Sequence, residues 1–502
     1  MTIADQPAAR VSLRDLCVAA GDDARLLAPA GTDRAAAEAV AVTDVTHDST
    51  QVAGGVLFAC RPGARTDGHD FASSAVDAGA PALLVQRPLE VSVPQIVVGS
   101  VAAALGAVAA TVHGHPSREM TLIGVTGTNG KTTTAYLLEA VLAAAGHTTG
   151  LIGTVETRIA GARVTGVRTT PESTDLQRLL RRMRDAGVTG AAMEVSSHGL
   201  ALGRVTATRF TAAAFTNLTQ DHLDFHADME DYYRAKRSLF DPRFTTIGVV
   251  NVDDDHGRRL ADEVDIGIIR ASVGTPADVW AADVHAHPDG ATFTAQLRTA
   301  TVDVRVGLPG LFNVSNALLA LAAAEAVGID PRIAAEGIAA CRGVPGRMER
   351  VDAGQPFTVL VDYAHTPDSL ANVLGAVRAV SPKRVIVVVG CGGERDAGKR
   401  PLMGRIAAEL ADLAVFTNDN PRSEDPRVIL DAVVAGAAEV DGGTWVVEPD
   451  RRAAIGEALT QAGEGDVVVV AGKGHETTQE IDGQLLPFDD RAVVRDLLGG
   501  GS

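Results

Sequence analysis

The stretch GVTGTNGKTTT, Gly124 to Thr134, joins spaced glycines, one lysine and a run of threonines behind a short apolar segment. A chain that turns there aims successive backbone N–H groups inward, and a helix beginning next presents the positive end of its dipole. That combination holds phosphate. Lys131 is positioned to neutralise β- and γ-phosphate charge, and Thr132 offers a hydroxyl to Mg2+. Gly127, Thr128, Asn129, Gly130, Lys131, Thr132 and Thr133 are therefore the candidate nucleotide-binding residues. The strict pattern G-x-x-x-x-G-K-[ST] wants glycine at position 125, where this chain has Val125, so the loop is a variant. The bland alternative is a Gly-rich turn with a solvated lysine. The apolar run before the loop and the helical pattern after it speak against that.

Two more polar stretches follow apolar runs. MEVSSHGL carries Glu194, and FTNLTQDHLDFH carries Asp221 and His222. Polar residues just beyond parallel strands lie at the mouth of the sheet, where ligands bind. Either stretch alone reads as an ordinary loop; beside a phosphate loop they suggest a nucleotide–metal site. YYRAKRSLF contains Lys236, which as a free ammonium reads as a solvated helix residue. Far downstream, TNDNPRSEDP crowds Asp419, Asn420, Pro421 and Arg422 together. Taken alone, Asx-Pro in a polar stretch is a turn.

The elements that must position these groups read as three α/β blocks. The chain has 502 residues, 46% hydrophobic and 22% charged, which is a globular composition too long for one core. The predicted domains are 1–112, a smaller α/β block; 113–344, a central P-loop block with a parallel sheet; and 345–502, a Rossmann-like α/β block. In the central block a strand over Leu122 to Val125 precedes the loop, and a helix runs from it to about Ala145. KRVIVVVGCGG and GDVVVVAGKGHE in the last block are apolar strands buried on both faces. The formal net charge of −18 argues against a nucleic-acid surface, which needs clustered Lys and Arg. Cys17, Cys60, Cys341 and Cys391 form no CxxC pair and read as buried thiols of a reducing compartment. The N-terminal MTIADQPAARVSLRDL has no signal-peptide pattern, and no apolar run is long enough to span a membrane. A cytoplasmic enzyme is expected, with neither nucleic-acid partner nor membrane insertion.

Together with TTPES, YYRAK, PGRME, DYAHTPDS, GCGGERDAGKR, TNDNPR and GKGHE, these stretches closely resemble the Mur ligases, in order and spacing, from Gly124 to Glu476. The N-terminal block matches more loosely, through HDSTQVAGGVLFACRPGARTDGHDF. The resemblance implies an ATP- and Mg2+-dependent amide ligase of peptidoglycan precursor synthesis, acting as a monomer. Its implied substrates are UDP-N-acetylmuramoyl-L-alanyl-D-glutamate and meso-2,6-diaminopimelate. It implies metal-site roles for Glu194 and His222 beside Thr132, and carbamylation of Lys236. It assigns Thr169, Thr170, Ser196 and Arg204 to the muramoyl peptide, and Ser49 to the uridine nucleotide. The family stretch there usually reads DSR, whereas this chain has Asp48-Ser49-Thr50. Arg347, Asp362, Tyr363 and His365 fall beside the adenine nucleotide. Arg395, Asp419, Asn420, Pro421, Arg422, Gly472 and Glu476 fall in the pocket of the incoming amino acid.

The implied chemistry runs through an acyl phosphate, so positioning and charge neutralisation matter more than a protein nucleophile. Ser196 and Ser197 beside His198 read as substrate contacts. Sites divided among three blocks call for domain closure. A P-loop motor or switch shares only the first motif, and a scaffold needs none of them. Folylpolyglutamate synthase and an L-lysine-adding Mur ligase are the closer alternatives. Arg422 favours diaminopimelate over lysine, because a guanidinium grips a carboxylate through two parallel bonds.

Overall fold

The computed structural model describes residues 9–63, 66–164, 166, 168–380 and 383–499. The first eight residues of the N-terminal stretch read above, and Ala64 and Arg65 of the loosely matching stretch, lie outside them. Three sheets carry the chain as a three-domain α/β architecture. No helix among the described residues is long and apolar enough to cross a membrane.

The first sheet has five strands, among them the parallel neighbours Asp44–Thr46 and Val56–Ala59. The central sheet has eleven strands. Its parallel part runs Thr149–Ile152, Gly190–Glu194, Thr121–Thr126, Ala212–Phe215, Ile247–Asn251, Gly267–Val273 and Val279–His287. Residues Gly290–Gln296 and Thr301–Val306 add two antiparallel strands to the same sheet. Two apolar clusters cover the central sheet's faces, one built on the phosphate-loop helix and the Ala-rich helix Phe312–Ala326, the other on Leu176, Leu180, Phe215 and Phe240.

The third sheet has six strands in the order Glu349–Val351, Thr358–Asp362, Val467–Ala471, Val385–Val389, Leu413–Phe416, Trp445–Val447. The middle strands VVVVA and VIVVV are buried at every residue. β-branched side chains suit a pleated surface packed on both sides, which is why these runs form interior parallel strands. The functional consequence lies at their ends. DYAHTPDS, GCGGERDAGKR, TNDNPR and GKGHE each leave the carboxyl end of one of four adjacent parallel strands, so segments distant in sequence meet on one rim. A small hairpin, Thr478–Ile481 with Gln484–Pro487, follows GKGHE.

Cys60 and Cys391 are buried, and burial pushes both thiols up to about 12. Cys17 and Cys341 are partly exposed, so the expectation of four buried thiols holds for only two. No disulfide joins them.

Candidate active site

The phosphate loop leaves strand Thr121–Thr126 and enters helix Lys131–Ala144. Val125 and Gly124 belong to the strand, not the loop, and Phe210 packs where a Cβ on Gly124 would stand. This explains the missing glycine at 125: the turn begins later. Gly127 has φ 147°, and a Cβ there would fall 1.8 Å from Thr216 Oγ1. Gly130 has φ 86° and caps the helix without a side-chain hydrogen bond, leaving its first N–H groups free for an anion.

Lys131 Nζ donates to Gly127 O at 2.9 Å and Thr128 O at 2.8 Å. Lys236, from helix Met229–Arg237, donates to the same Gly127 O at 2.7 Å. It is 1% exposed and lies over the Tyr232 ring. Burial, with Lys131 close by, lowers the Lys236 pKa well below the lysine range, opposed by Asp221. Lys236 is thus a buried amine rather than the solvated helix residue its sequence context suggests. Burial also lowers Lys131, opposed by Glu194 and Asp221.

Glu194 ends strand Gly190–Glu194 and is 1% exposed. It accepts hydrogen bonds from Thr132 Oγ1 at 3.1 Å, Thr154 N at 2.8 Å and Thr154 Oγ1 at 3.0 Å. His222 has φ 56°, and its Nε2 lies 3.4 Å from Asp221. Burial lowers the His222 pKa, opposed by Asp221 and aided by Lys131. Lowered basicity favours the neutral imidazole, the form that ligates a metal. Among the described residues no three His, Cys, Asp or Glu side chains converge as a metal cluster. The expected metal set contains only two such groups, with a hydroxyl and a lysine completing it.

One cavity of about 600 Å³ is lined by Thr128–Thr133, Thr169, Thr170, Glu194, Ser196, Arg204, His222, Lys236, Arg347, Asp362, His365 and Arg395. The third sheet reaches this cavity through several contacts. Arg347 stacks on Tyr363 and donates to Thr132 Oγ1 at 3.2 Å, while Asn129 Nδ2 donates to Asp368 at 2.8 Å. His365 Nε2 is 3.9 Å from Asp221, and Arg395 is 3.9 Å from Asp224. Asp362 is buried and accepts from Met348 N and Ala364 N, so it fixes the backbone beside Arg347. Arg204, Arg61 and Arg168 all pair with Glu172, Arg204 at 2.8 Å and Arg61 at 2.9 Å. Glu172 thereby ties the first sheet's Arg61 to the Thr169–Thr170 turn.

Ser49 does not line this cavity; it begins a short 3-10 turn capped by Asp48. Asp419, Asn420, Pro421, Arg422, Gly472 and Glu476 stand apart from it as a second group. Asp419 is buried, and Gln479 Nε2 donates to its backbone O at 2.7 Å. Asn420 is committed to the protein: its Oδ1 accepts from Lys473 Nζ at 2.9 Å and Glu480 N at 3.0 Å, and its Nδ2 donates to Glu476 at 2.9 Å. Lys473 also pairs with Glu476 at 3.0 Å. Arg422 has φ 56° and forms a bridge to Ile481, so the left-handed residue of this turn is the arginine itself. Its Nη1 donates to Gly393 O at 2.6 Å. A Cβ on Gly392 would sit 3.1 Å from Arg422 Nη1 and 3.8 Å from Arg395 Cγ, so both arginines border one spot.

Thr154, Glu172, Lys473 and Glu480 were not singled out from sequence. Glu172 and Lys473 lie inside TTPES and GKGHE, whose polar residues carried the available signal. Thr154 follows an ordinary strand and carried none.

The Mur ligase middle domain matches residues 125–324, the Mur ligase glutamate ligase domain 346–474, and the Mur ligase family catalytic domain 41–119. The chain is 50% identical to a UDP-N-acetylmuramoyl-L-alanyl-D-glutamate–2,6-diaminopimelate ligase of Streptomyces avermitilis, over 91% of this chain and 92% of that one. It is 49% identical to the enzyme of the same name from Geobacillus thermodenitrificans, over 89% and 93%. A solved structure of a ligase so named aligns with TM-score 0.69 and 31% identity, covering 98% of this chain and 99% of that one. Folylpolyglutamate synthase of Mycobacterium tuberculosis aligns with TM-score 0.62 at 19% identity, covering 78% and 94%, a likeness of fold. With the phosphate loop, the buried lysine and the third-sheet rim in one arrangement, and with relatives this similar along nearly the whole chain, the chain belongs to the Mur ligase family.

Proposed function

We propose that this ATP-dependent ligase joins meso-2,6-diaminopimelate to the D-glutamyl side-chain carboxylate of UDP-N-acetylmuramoyl-L-alanyl-D-glutamate. The observation that carries the reading is the shared cavity, lined at once by the phosphate loop, by Thr169, Thr170, Ser196 and Arg204, and by Arg347, His365 and Arg395 of the third sheet. In this reading residues 1–112 take the UDP part, 113–344 take ATP, and 345–502 take the incoming amino acid and close on the nucleotide.

A free carboxylate is a poor acyl donor, because oxide would have to leave. Transfer of the γ-phosphoryl group gives an acyl phosphate, and attack by the amine then expels phosphate and forms the amide. Lys131 exchanges its two carbonyl partners for phosphoryl oxygens, and Arg347 brings a second cation to the same side of the loop. Arg204 and its threonine neighbours hold the substrate carboxylate, the phosphoryl acceptor, in line. Docking of the third sheet on Asn129 and Thr132 excludes water from the acyl phosphate.

The oxygen donors fit Mg2+, a hydroxyl at Thr132 and a carboxylate at Glu194 already accepting three hydrogen bonds, and the His222 imidazole would add one nitrogen beside them. When bound there, the ion supplies charge neutralisation to the phosphoryl group. Lys236 completes the set as a carbamate: its amine adds to the carbon of CO2, an N–C bond forms and one proton leaves. Support for this is its burial and low basicity, since only a neutral amine adds CO2.

A phosphate-release assay tests the reading. Release is expected only when ATP, the UDP-muramoyl dipeptide and meso-diaminopimelate are all present. Equal turnover with L-lysine, or release without the dipeptide, refutes it.

A further inference from the structure

Glu480 lies on the hairpin strand Thr478–Ile481, with its Oε2 at 3.3 Å from Arg422 Nε. Among the described residues Arg422 is the cation its carboxylate meets. Glu476 nearby differs, because the wholly buried Lys473 already neutralises it. Arg422 is held from its backbone: its N–H donates to Glu480 O at 3.0 Å, and its own carbonyl accepts from Asp482 N at 2.7 Å. One edge of the guanidinium is engaged by the fixed carbonyl of Gly393 through Nη1. Among the described residues the Nε edge is engaged only by Glu480, whose side chain is 34% exposed.

A ligand carboxylate gripping the guanidinium through two parallel bonds takes the edge that yields, which is the Nε edge. Glu480 is then a carboxylate stripped of its cation beside a second carboxylate, and that is unfavourable unless a new cation arrives. The distal carbon of meso-diaminopimelate bears such a cation next to its carboxylate. We propose that Glu480 is a specificity-determining residue, and that the Arg422–Glu480 pair opens to receive a zwitterion, carboxylate on Arg422 and ammonium on Glu480. An amino acid with a distal ammonium alone, such as L-lysine, leaves Arg422 unmatched. One with a distal carboxylate alone, such as L-2-aminopimelate, leaves Glu480 unmatched. This rests on the diaminopimelate reading above.

The test compares kcat/KM for meso-diaminopimelate and L-2-aminopimelate in the parent, Glu480→Gln, Glu480→Ala and Glu480→Asp. The parent's preference for meso-diaminopimelate narrows at least tenfold in Glu480→Gln, because the unmatched charge is gone. Glu480→Ala narrows it as well, and serves as the independent variant if glutamine disturbs the hairpin. Glu480→Asp keeps the preference. A preference unchanged in both Gln and Ala variants overturns the assignment. So does an equal fractional loss for both amino acids in all three variants, which marks a merely structural residue. A parent inactive with meso-diaminopimelate removes both the functional reading and this one; an active parent with an unchanged preference removes only this one.

Discussion

The phosphate loop and the third-sheet rim handle positive charge in opposite ways. At the loop, half-buried Lys131 and buried Lys236 bond to backbone carbonyls and share Gly127 O. On the rim, Lys473 meets Glu476, Arg422 meets Glu480, and Arg451 meets Asp490 in a pair with both side chains fully buried. Cations bonded to carbonyls, with carboxylates near but not paired to them, would gain from an arriving anion, which suits the proposed polyanionic substrate. Cations with resident counterions suit a pocket that must recognise a ligand bearing both signs. In the proposed function the loop's cations are neutralised by ligand and the Arg422–Glu480 pair exchanges partners, while Arg451–Asp490 stays fixed.

The largest effect tests the first half of this contrast. Lys131→Ala should lower phosphate release about a thousandfold or more, because no other loop side chain carries charge to the phosphoryl group. Its melting temperature should not fall clearly, since the lost ammonium bonds to carbonyls and forms no ion pair; a clear drop on calorimetry breaks the contrast. On the rim the reverse holds. Arg451→Met strips Asp490 of its partner, with bonds of 2.8 and 2.7 Å removed, and should cost about 3–5 kcal/mol in urea unfolding. Unchanged stability would mean the pair is not needed to hold strand Val467–Ala471 to the last helix.

A smaller effect belongs to the pocket proposed for the amino acid. Arg422→Ala should raise KM for meso-diaminopimelate about a hundredfold, roughly 2.7 kcal/mol, with KM for ATP within about twofold. Equal kinetics at subsaturating diaminopimelate would remove Arg422 from recognition. The smallest effect lies at the junction of the first and central sheets. There Arg178 and His113 hold the Asp44 carboxyl well below the usual carboxylate range, against the effect of its burial. A depressed folded pKa stabilises above the unfolded value, about 4, and that contribution is lost as pH falls through the folded one. Asp44→Asn should therefore cost about 1 kcal/mol at pH 7, and the gap to the parent should shrink on acidification below about pH 4. A gap that widens in acid would contradict the sign.

Local features were the readable ones. The strand before the phosphate loop, predicted from Leu122 to Val125, spans Thr121–Thr126, and the helix after it ends at Ala144. Apolar β-branched runs and a glycine turn are properties of adjacent residues. Joining the antiparallel strands after Val279 to the parallel sheet depends on pairings that no local pattern encodes. The polar stretch at Thr417 was readable as a turn, but not as one whose left-handed residue is Arg422. That backbone is favoured by bonds to Glu480 and Asp482, remote in sequence. Lys236 read as solvated because its own helix is polar; its burial comes from the loop laid over it.

The four motif-bearing loops of the third sheet leave adjacent parallel strands whose interiors are uniformly apolar. The phosphate loop and Glu194 are mounted on the central sheet, with Arg347 reaching over from the third. If the TNDNPR and GKGHE loops select the amino acid as proposed, short rim segments can be edited to change which one is delivered, while the loop that binds phosphate stays as it is. One scaffold can diversify by changing its cargo while conserving its engine.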